Sequence, residues 1–355
     1  MDIAGATSST TSPPASLPTS INAERRERLH YIQAMRATAI IIVVATHCRD
    51  PFLENTFIRS DEAGVLFRHI NVVFIYISGF LFQFLLGRFT YYRYLHTKLI
   101  NVIVPYLAWS IPAIAAYLIG IKSLNGFDAP IWFDSAPKLV LFMLATGTHL
   151  APFWFIPMMA IVYIASPILV RMDRTPWGYL AIAPLLLISI LVGRSAHDAN
   201  PMKNFLFYVP VYVIGMAVSH YREQVIPQLS RYFPVLLLAI ILPLVAIALD
   251  PWLDNVEFIT KILFCLGLTG LCAKFSRNIP SWVNYLGNIS FGIYFVHYYI
   301  VAILNIAAKS VLNGFFSGSF IAYSVTVIAV LVPSIVTVTI AKKVMGRYSR
   351  MFIGA

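Results

Sequence analysis

The sequence predicts an all-α protein, a polytopic transmembrane helix bundle of about ten spans. Three observations carry that expectation. Apolar types make up 59% of the 355 residues and charged types only 12%, against about 45–50% and about 25% in an ordinary soluble domain. Mean hydropathy is +0.76. The apolar residues also gather into ten runs of bilayer-crossing length, with charge kept to the segments between them. A soluble enzyme and a disordered chain are both excluded by this composition. The formal charge of +11, from 26 Lys and Arg against 15 Asp and Glu, marks cytoplasmic loops in such a chain rather than a nucleic-acid surface. Three cysteines, Cys48, Cys265 and Cys272, form no CxxC pair, so neither a disulfide framework nor a cysteine metal site is expected.

Residues 1–22, rich in Ser, Thr, Pro and Ala, read as a disordered cytoplasmic tail. No cleaved leader is expected, because the first apolar run is too long for a signal core and no small-residue cleavage site follows it. The runs lie at roughly 31–48, 66–88, 98–121, 150–170, 178–194, 204–220, 233–250, 257–274, 286–308 and 320–342. A shorter run, 139–145, cannot cross and is expected to lie at the interface or re-enter. Pro105, Pro112, Pro157, Pro210, Pro243 and Pro333 fall inside spans, which neighbouring helices tolerate in a bilayer. The bundle is read as 23–345 and the residues 346–355 as a cytoplasmic C-terminal tail. No internal repeat is visible, which disfavours inverted-repeat transporters. With the N-terminus inside, 16 cations fall on the cytoplasmic side and 8 on the other. Both termini are therefore expected in the cytoplasm.

The informative residues are those that are costly to bury. Arg36 and His47 in span one are eleven apart. Eleven residues turn a helix about 1,100°, close to three turns, and advance it about 16 Å. Both side chains therefore share one face at opposite depths, an arrangement that suits a substrate lying along the helix. The competing reading is a snorkelling arginine and an interfacial histidine. In span two, Ser78-Gly79-Phe80 permits close helix approach, and His69 lies at the depth of His47. The inner connection Arg88-Phe-Thr-Tyr-Tyr-Arg93-Tyr-Leu-His96-Thr-Lys98 forms a basic aromatic collar able to hold phosphates. The competing reading is the positive-inside rule alone. Outside, His149 precedes Pro152-Phe153-Trp154 at the start of span four. Ser290, Tyr294 and His297 form one stripe of span nine, and a buried His297 has to face the bundle interior. Lys261, one turn after Glu257, reads as a structural ion pair.

No Asp or Glu lies mid-span, and no HExxH, Walker loop, GxSxG elbow or paired-aspartate motif occurs. The chemistry left is basic. It suits a general base acting on a hydroxyl, with cation sites for an anionic donor.

Four segments in order resemble acyltransferase family 3, the polytopic membrane acyltransferases. Tyr31-Ile-Gln-Ala-Met-Arg36-Ala-Thr-Ala-Ile, closed by His47, resembles the opening segment of that family. Phe74-Ile-Tyr-Ile-Ser78-Gly79-Phe80-Leu81 is similar to its Ser-Gly-Phe motif, Trp154-Phe155-Ile156 to its Trp-Phe-Leu element, and Ser290-Phe-Gly-Ile-Tyr294-Phe-Val-His297 to its late Ser…Tyr…His motif. The resemblance runs from about 30 to 300. It implies O-acyl transfer, usually of acetyl, from cytoplasmic acyl-CoA to a hydroxyl of an extracytoplasmic or lipid-linked carbohydrate, such as an exopolysaccharide or lipopolysaccharide unit, at the inner membrane. It also implies His47 as the catalytic residue and Arg36 as its companion. Where the family often has Arg-x-x-Arg before span three, this chain reads Arg93-Tyr-Leu-His96. The donor's phosphates are expected on Arg88, Arg93 and Lys98, with His96 the weaker candidate. His149, Trp154, Tyr294 and His297 are the expected acceptor contacts. Acetyl-CoA or another acyl-CoA is the expected donor, with no metal and no nucleic acid partner. The other partners are the carbohydrate and membrane lipid; homo-oligomerisation stays open. No appended esterase-like domain is expected, so the chain resembles the stand-alone form. The rival reading is a transporter or flippase for a lipid-linked or anionic compound.

Overall fold

A computed structural model describes residues 19–49, 52, 71–120, 135–194, 199–249, 254–311 and 319–355, with no strand among them. His69 and residues 1–18 lie outside the described residues, as does the side chain of Glu257. The helices are α1 (Thr19–His47), α2 (Asn71–Phe84), α3 (Tyr91–Lys98), α4 (Val104–Leu118), α5 (Ala136–Thr146), α6 (Phe155–Ile164), α7 (Ser166–Arg174), α8 (Ile182–Val192), α9 (Pro201–His220), α10 (Arg222–Ala239), α11 (Ile241–Leu249), α12 (Asp254–Lys274), α13 (Ser281–Val311), α14 (Phe320–Met345) and α15 (Ser349–Ile353). Each of the ten expected spans holds one of these helices or a broken pair. The short run 139–145 is the core of α5, whose 11 residues extend about 16 Å and cannot cross.

Five described helices are long and apolar enough to span, or six when α6 and α7 count as one span bent by 56°. Several other expected spans are shortened by their breaks or by their nearness to residues outside the described set. The breaks have local causes. A proline lacks an N–H and its ring meets the carbonyl four residues back. Pro167 therefore bends the chain at Ala165, and Pro243 ends α10 before Ile241. Before Pro105 the chain takes a wider π turn at Leu99–Ile103, which joins α3 to α4 in one continuous helical span.

The outer faces are apolar and exposed, as along α10 and α11 at Val235, Leu238, Ile241 and Leu242. Such a surface is stable against lipid rather than water. Inside, α1 occupies the centre and packs on α2, α12, α13 and α14. Met35, Ala39, Ile40 and Val44 on it are fully buried. Among the tightest crossings is that of α2 with α9. A Cβ on Gly79 would lie 1.9 Å from the carbonyl oxygen of Tyr212, and one on Gly215 would lie 2.1 Å from that of Tyr76. Only hydrogen at both positions permits this approach, the packing role the Ser-Gly pair foreshadowed.

The ten residues read as a tail are folded. A 3-10 turn at Gly346–Tyr348 leads into α15, which packs on α13, α14, α4 and the π turn.

Candidate active site

The site begins with the pairing of α1 and α13. Gly287 meets α1 at Gln33, where a Cβ would lie 2.3 Å from the Gln33 carbonyl oxygen. Further along both helices, the ring of His297 lies 5.4 Å from that of His47. The two contacts fall in the same order along both helices, so the pair runs parallel and its register is fixed. Tyr298 adds a T-shaped contact to His47 at 5.1 Å.

The two histidines differ. His47 keeps accessible surface, and among the described residues its ring nitrogens have no hydrogen-bond partner. His297 is fully buried. Its Nδ1 lies 3.0 Å from the Ile293 carbonyl oxygen. A carbonyl only accepts, so Nδ1 carries the proton and Nε2 presents a lone pair. Among the described residues that Nε2 has no partner. A buried nitrogen without a partner is costly unless something else fills it.

Arg36 lies on the same face of α1 as His47, toward the end of the bundle where the Arg88–Lys98 connection lies. It too keeps accessible surface, and among the described residues it has neither a carboxylate nor a hydrogen bond. The Lys98 ammonium is within electrostatic reach of it and sits 5.3 Å from the Tyr94 ring centre and 5.0 Å from that of Tyr163. Cation–π contact stabilises the ammonium without neutralising it. From Lys98 outward runs a groove of about 410 Å³, lined by Ser78, Phe82, Phe89, Tyr94, Arg88 and Arg93, among others. Three of the four expected donor-binding residues thus share one cavity. His96 is exposed and does not line it.

The acceptor candidates separate. Tyr294 donates its hydroxyl proton to the Pro152 carbonyl, tying the loop before α6 to α13 one turn from His297. Phe153 stacks on Tyr294 and touches His149 edge-on. His149 is buried, with Nδ1 3.0 Å from the Met143 carbonyl oxygen and Nε2 2.8 Å from the Ser110 hydroxyl. Both its nitrogens are therefore occupied in this structure. Trp154 stacks on Tyr208, and the Arg194 guanidinium lies over its ring at 5.7 Å. Ser290 donates to the Gly287 carbonyl at 2.8 Å. Lys261 is buried.

Sequence reasoning missed Tyr298, Ser110 and the groove-lining role of Ser78. Tyr298 was within reach, since it falls four residues after Tyr294 on the same helical stripe. Ser110 gave no local signal, because its partner His149 is 39 residues away.

The bundle thus carries Arg88, Arg93 and Lys98 on a groove at one end and the His47–His297 pair further in. The acyltransferase domain family matches residues 29–339, nearly the whole chain. The protein belongs to that family, acyltransferase family 3, and is a membrane acyltransferase. No curated protein and no solved structure matches the chain.

Proposed function

We propose that the protein moves an acyl group, acetyl by expectation, from cytoplasmic acyl-CoA to a hydroxyl of an extracytoplasmic or lipid-linked carbohydrate. The observation that carries this reading is the alignment of Arg88, Arg93 and Lys98 in the groove with Arg36 beyond them and His47 further along the same face of α1. The described carboxylates are engaged elsewhere, Asp173 with His220 and Glu223 with Arg222. Cations left without counter-charge at a cavity favour a polyanion.

The nucleotide end of acyl-CoA docks in the groove, and its pantetheine arm runs along α1 past Arg36 to bring the thioester to His47. His47, as neutral imidazole, accepts the proton of the acceptor hydroxyl while that oxygen attacks the thioester carbonyl. The carbon–sulfur bond breaks, and the imidazolium returns the proton to the departing thiolate. The Nε2 of His297, unbonded among the described residues and on a ring 5.4 Å from that of His47, is the acceptor that an N–H of His47 would turn to during the reaction, leaving the other nitrogen of His47 as the base. This is the orienting role that a third group plays beside a catalytic base. Attack of His47 itself on the thioester, to give an acyl-histidine, is the alternative route through the same residues. The lipid-facing surface and the charge bias support a multi-pass protein of the inner membrane with both termini cytoplasmic.

The test uses inside-out membrane vesicles given radiolabelled acetyl-CoA. Label is expected in the carbohydrate or lipid-linked fraction of vesicles that contain the protein. Its absence there, with the protein present and intact, contradicts the reading.

A further inference from the structure

We propose that Arg350, carried by the folded-back helix α15, completes an inner phosphate clamp with Arg36 and Lys98 that grips the pyrophosphate of the acyl donor. The inference rests on the acyl-CoA reading above and extends the site to the C-terminal segment.

The placement of α15 is firm. Ile353 and Ala355 are buried, and the Ser349 hydroxyl donates to the Ala355 carbonyl oxygen, closing the segment on itself. On α13, Gly292 leaves the space that this segment fills. A Cβ there would lie 3.0 Å from the Ala355 Cβ and 3.1 Å from the Ile353 carbonyl oxygen. On its other side α15 packs against α4 and the π turn Leu99–Ile103, the turn that begins right after Lys98. Ile353 anchors the segment while Arg350, on the same short helix, stays exposed.

Three cations from three separate elements thus converge: Arg36 from α1, Lys98 from the end of α3 and Arg350 from α15. Gln33, less than one turn before Arg36, meets α13 at Gly287, and α15 meets α13 at Gly292 a little over one turn further on, while the π turn packed on α15 starts right after Lys98. Among the described residues none of the three has a carboxylate partner. Like charges held together at the edge of a low-dielectric bundle repel, so an anion bound among them is favoured. Phosphate oxygens suit it, because guanidinium and ammonium groups give them short, charge-assisted bonds.

The covalent order of coenzyme A assigns the phosphates. The pyrophosphate joins the adenosine to the pantetheine arm, whereas the 3′-phosphate hangs from the ribose. With the thioester near His47, the pyrophosphate falls nearest Arg36. The 3′-phosphate is left for Arg88 and Arg93 in the outer groove.

The experiment measures binding of coenzyme A and of 3′-dephospho-coenzyme A to the purified full chain in detergent. It compares wild type with Arg350→Gln, Arg350→Lys and Arg93→Ala. Arg350→Gln is expected to weaken both ligands about tenfold, with Arg350→Lys closer to wild type and melting temperatures unchanged. Arg93→Ala is expected to weaken coenzyme A more than its dephospho form. Wild-type affinity in Arg350→Gln, with Arg93→Ala weakened, removes α15 from the site and leaves the proposed function standing. A penalty confined to coenzyme A overturns the pyrophosphate assignment. Equal losses in both Arg350 variants together with lowered melting temperature make the residue structural and overturn the clamp. A loss of phosphatidylglycerol retention without any loss of coenzyme A affinity makes it a lipid headgroup site, which also overturns it. Failure of wild type to bind either nucleotide removes the acyl-CoA reading itself.

Discussion

The imidazole rings of His47 and His297 lie 5.4 Å apart, one open to accessible space and one sealed in the bundle with a bare Nε2. Their helices run parallel, so the pair sits at one level of the bundle, about 16 Å along α1 from Arg36. In the proposed mechanism that separation divides the site into an anion-holding end and a proton-handling end.

If His297 orients His47, replacing it should slow the chemical step without touching the donor site. His297→Leu is expected to lower kcat about 10²-fold with KM for acyl-CoA unchanged. His297→Gln, which keeps a carbonyl acceptor, should recover part of the loss. Steady-state kinetics on both variants decides, and an undiminished kcat in His297→Leu removes the orienting role.

The groove makes a binding prediction. Replacing Arg93 and Lys98 together with Ala should weaken coenzyme A at least about tenfold, and the affinity that remains should depend less on salt. Titration at two ionic strengths reads both effects. Unchanged affinity takes the collar out of the mechanism.

The α2–α9 crossing makes a stability prediction. Gly215→Ala puts a methyl 2.1 Å from the Tyr76 carbonyl oxygen, so the helices must part at a cost of about 1–3 kcal/mol. Gly87→Ala, with nothing within 4 Å of the added Cβ, is the matched control. Thermal unfolding in detergent should show a lower midpoint for the first and little change for the second. Equal midpoints contradict the tight crossing.

Tyr294 makes another. Tyr294→Phe leaves the buried Pro152 carbonyl without its donor, a loss of about 1–3 kcal/mol. The melting temperature should fall, and the loop before α6 should become more open to hydrogen exchange. A variant with wild-type protection throughout that loop shows the bond to be dispensable.

Much of this was legible in the sequence. Lipid forces a spanning chain to satisfy its backbone internally, so long apolar runs locate helices well, and each of the ten holds one. The 3.6-residue period placed Arg36 and His47 on one face, and the same stripe on α13 placed Tyr294 and His297 inward. The breaks at Ala165 and Ile240 and the π turn before Pro105 were not assigned, because a proline in a bilayer is tolerated as often as it bends a helix. Partners across the bundle were not legible either. Nothing local says that Trp154 stacks on Tyr208, that His149 bonds Ser110, or that the residues after Gly346 fold back on α13. Such contacts depend on which helices become neighbours, and that is set by the whole packing arrangement.

The most direct test of the central claim, a base at His47 fed by a donor from the cationic end, is mass spectrometry of surface glycans from cells carrying wild-type protein, no protein, or His47→Ala at equal membrane abundance. The account predicts an O-acyl group present with wild type and missing from both other samples. Full O-acylation in the His47→Ala cells contradicts it.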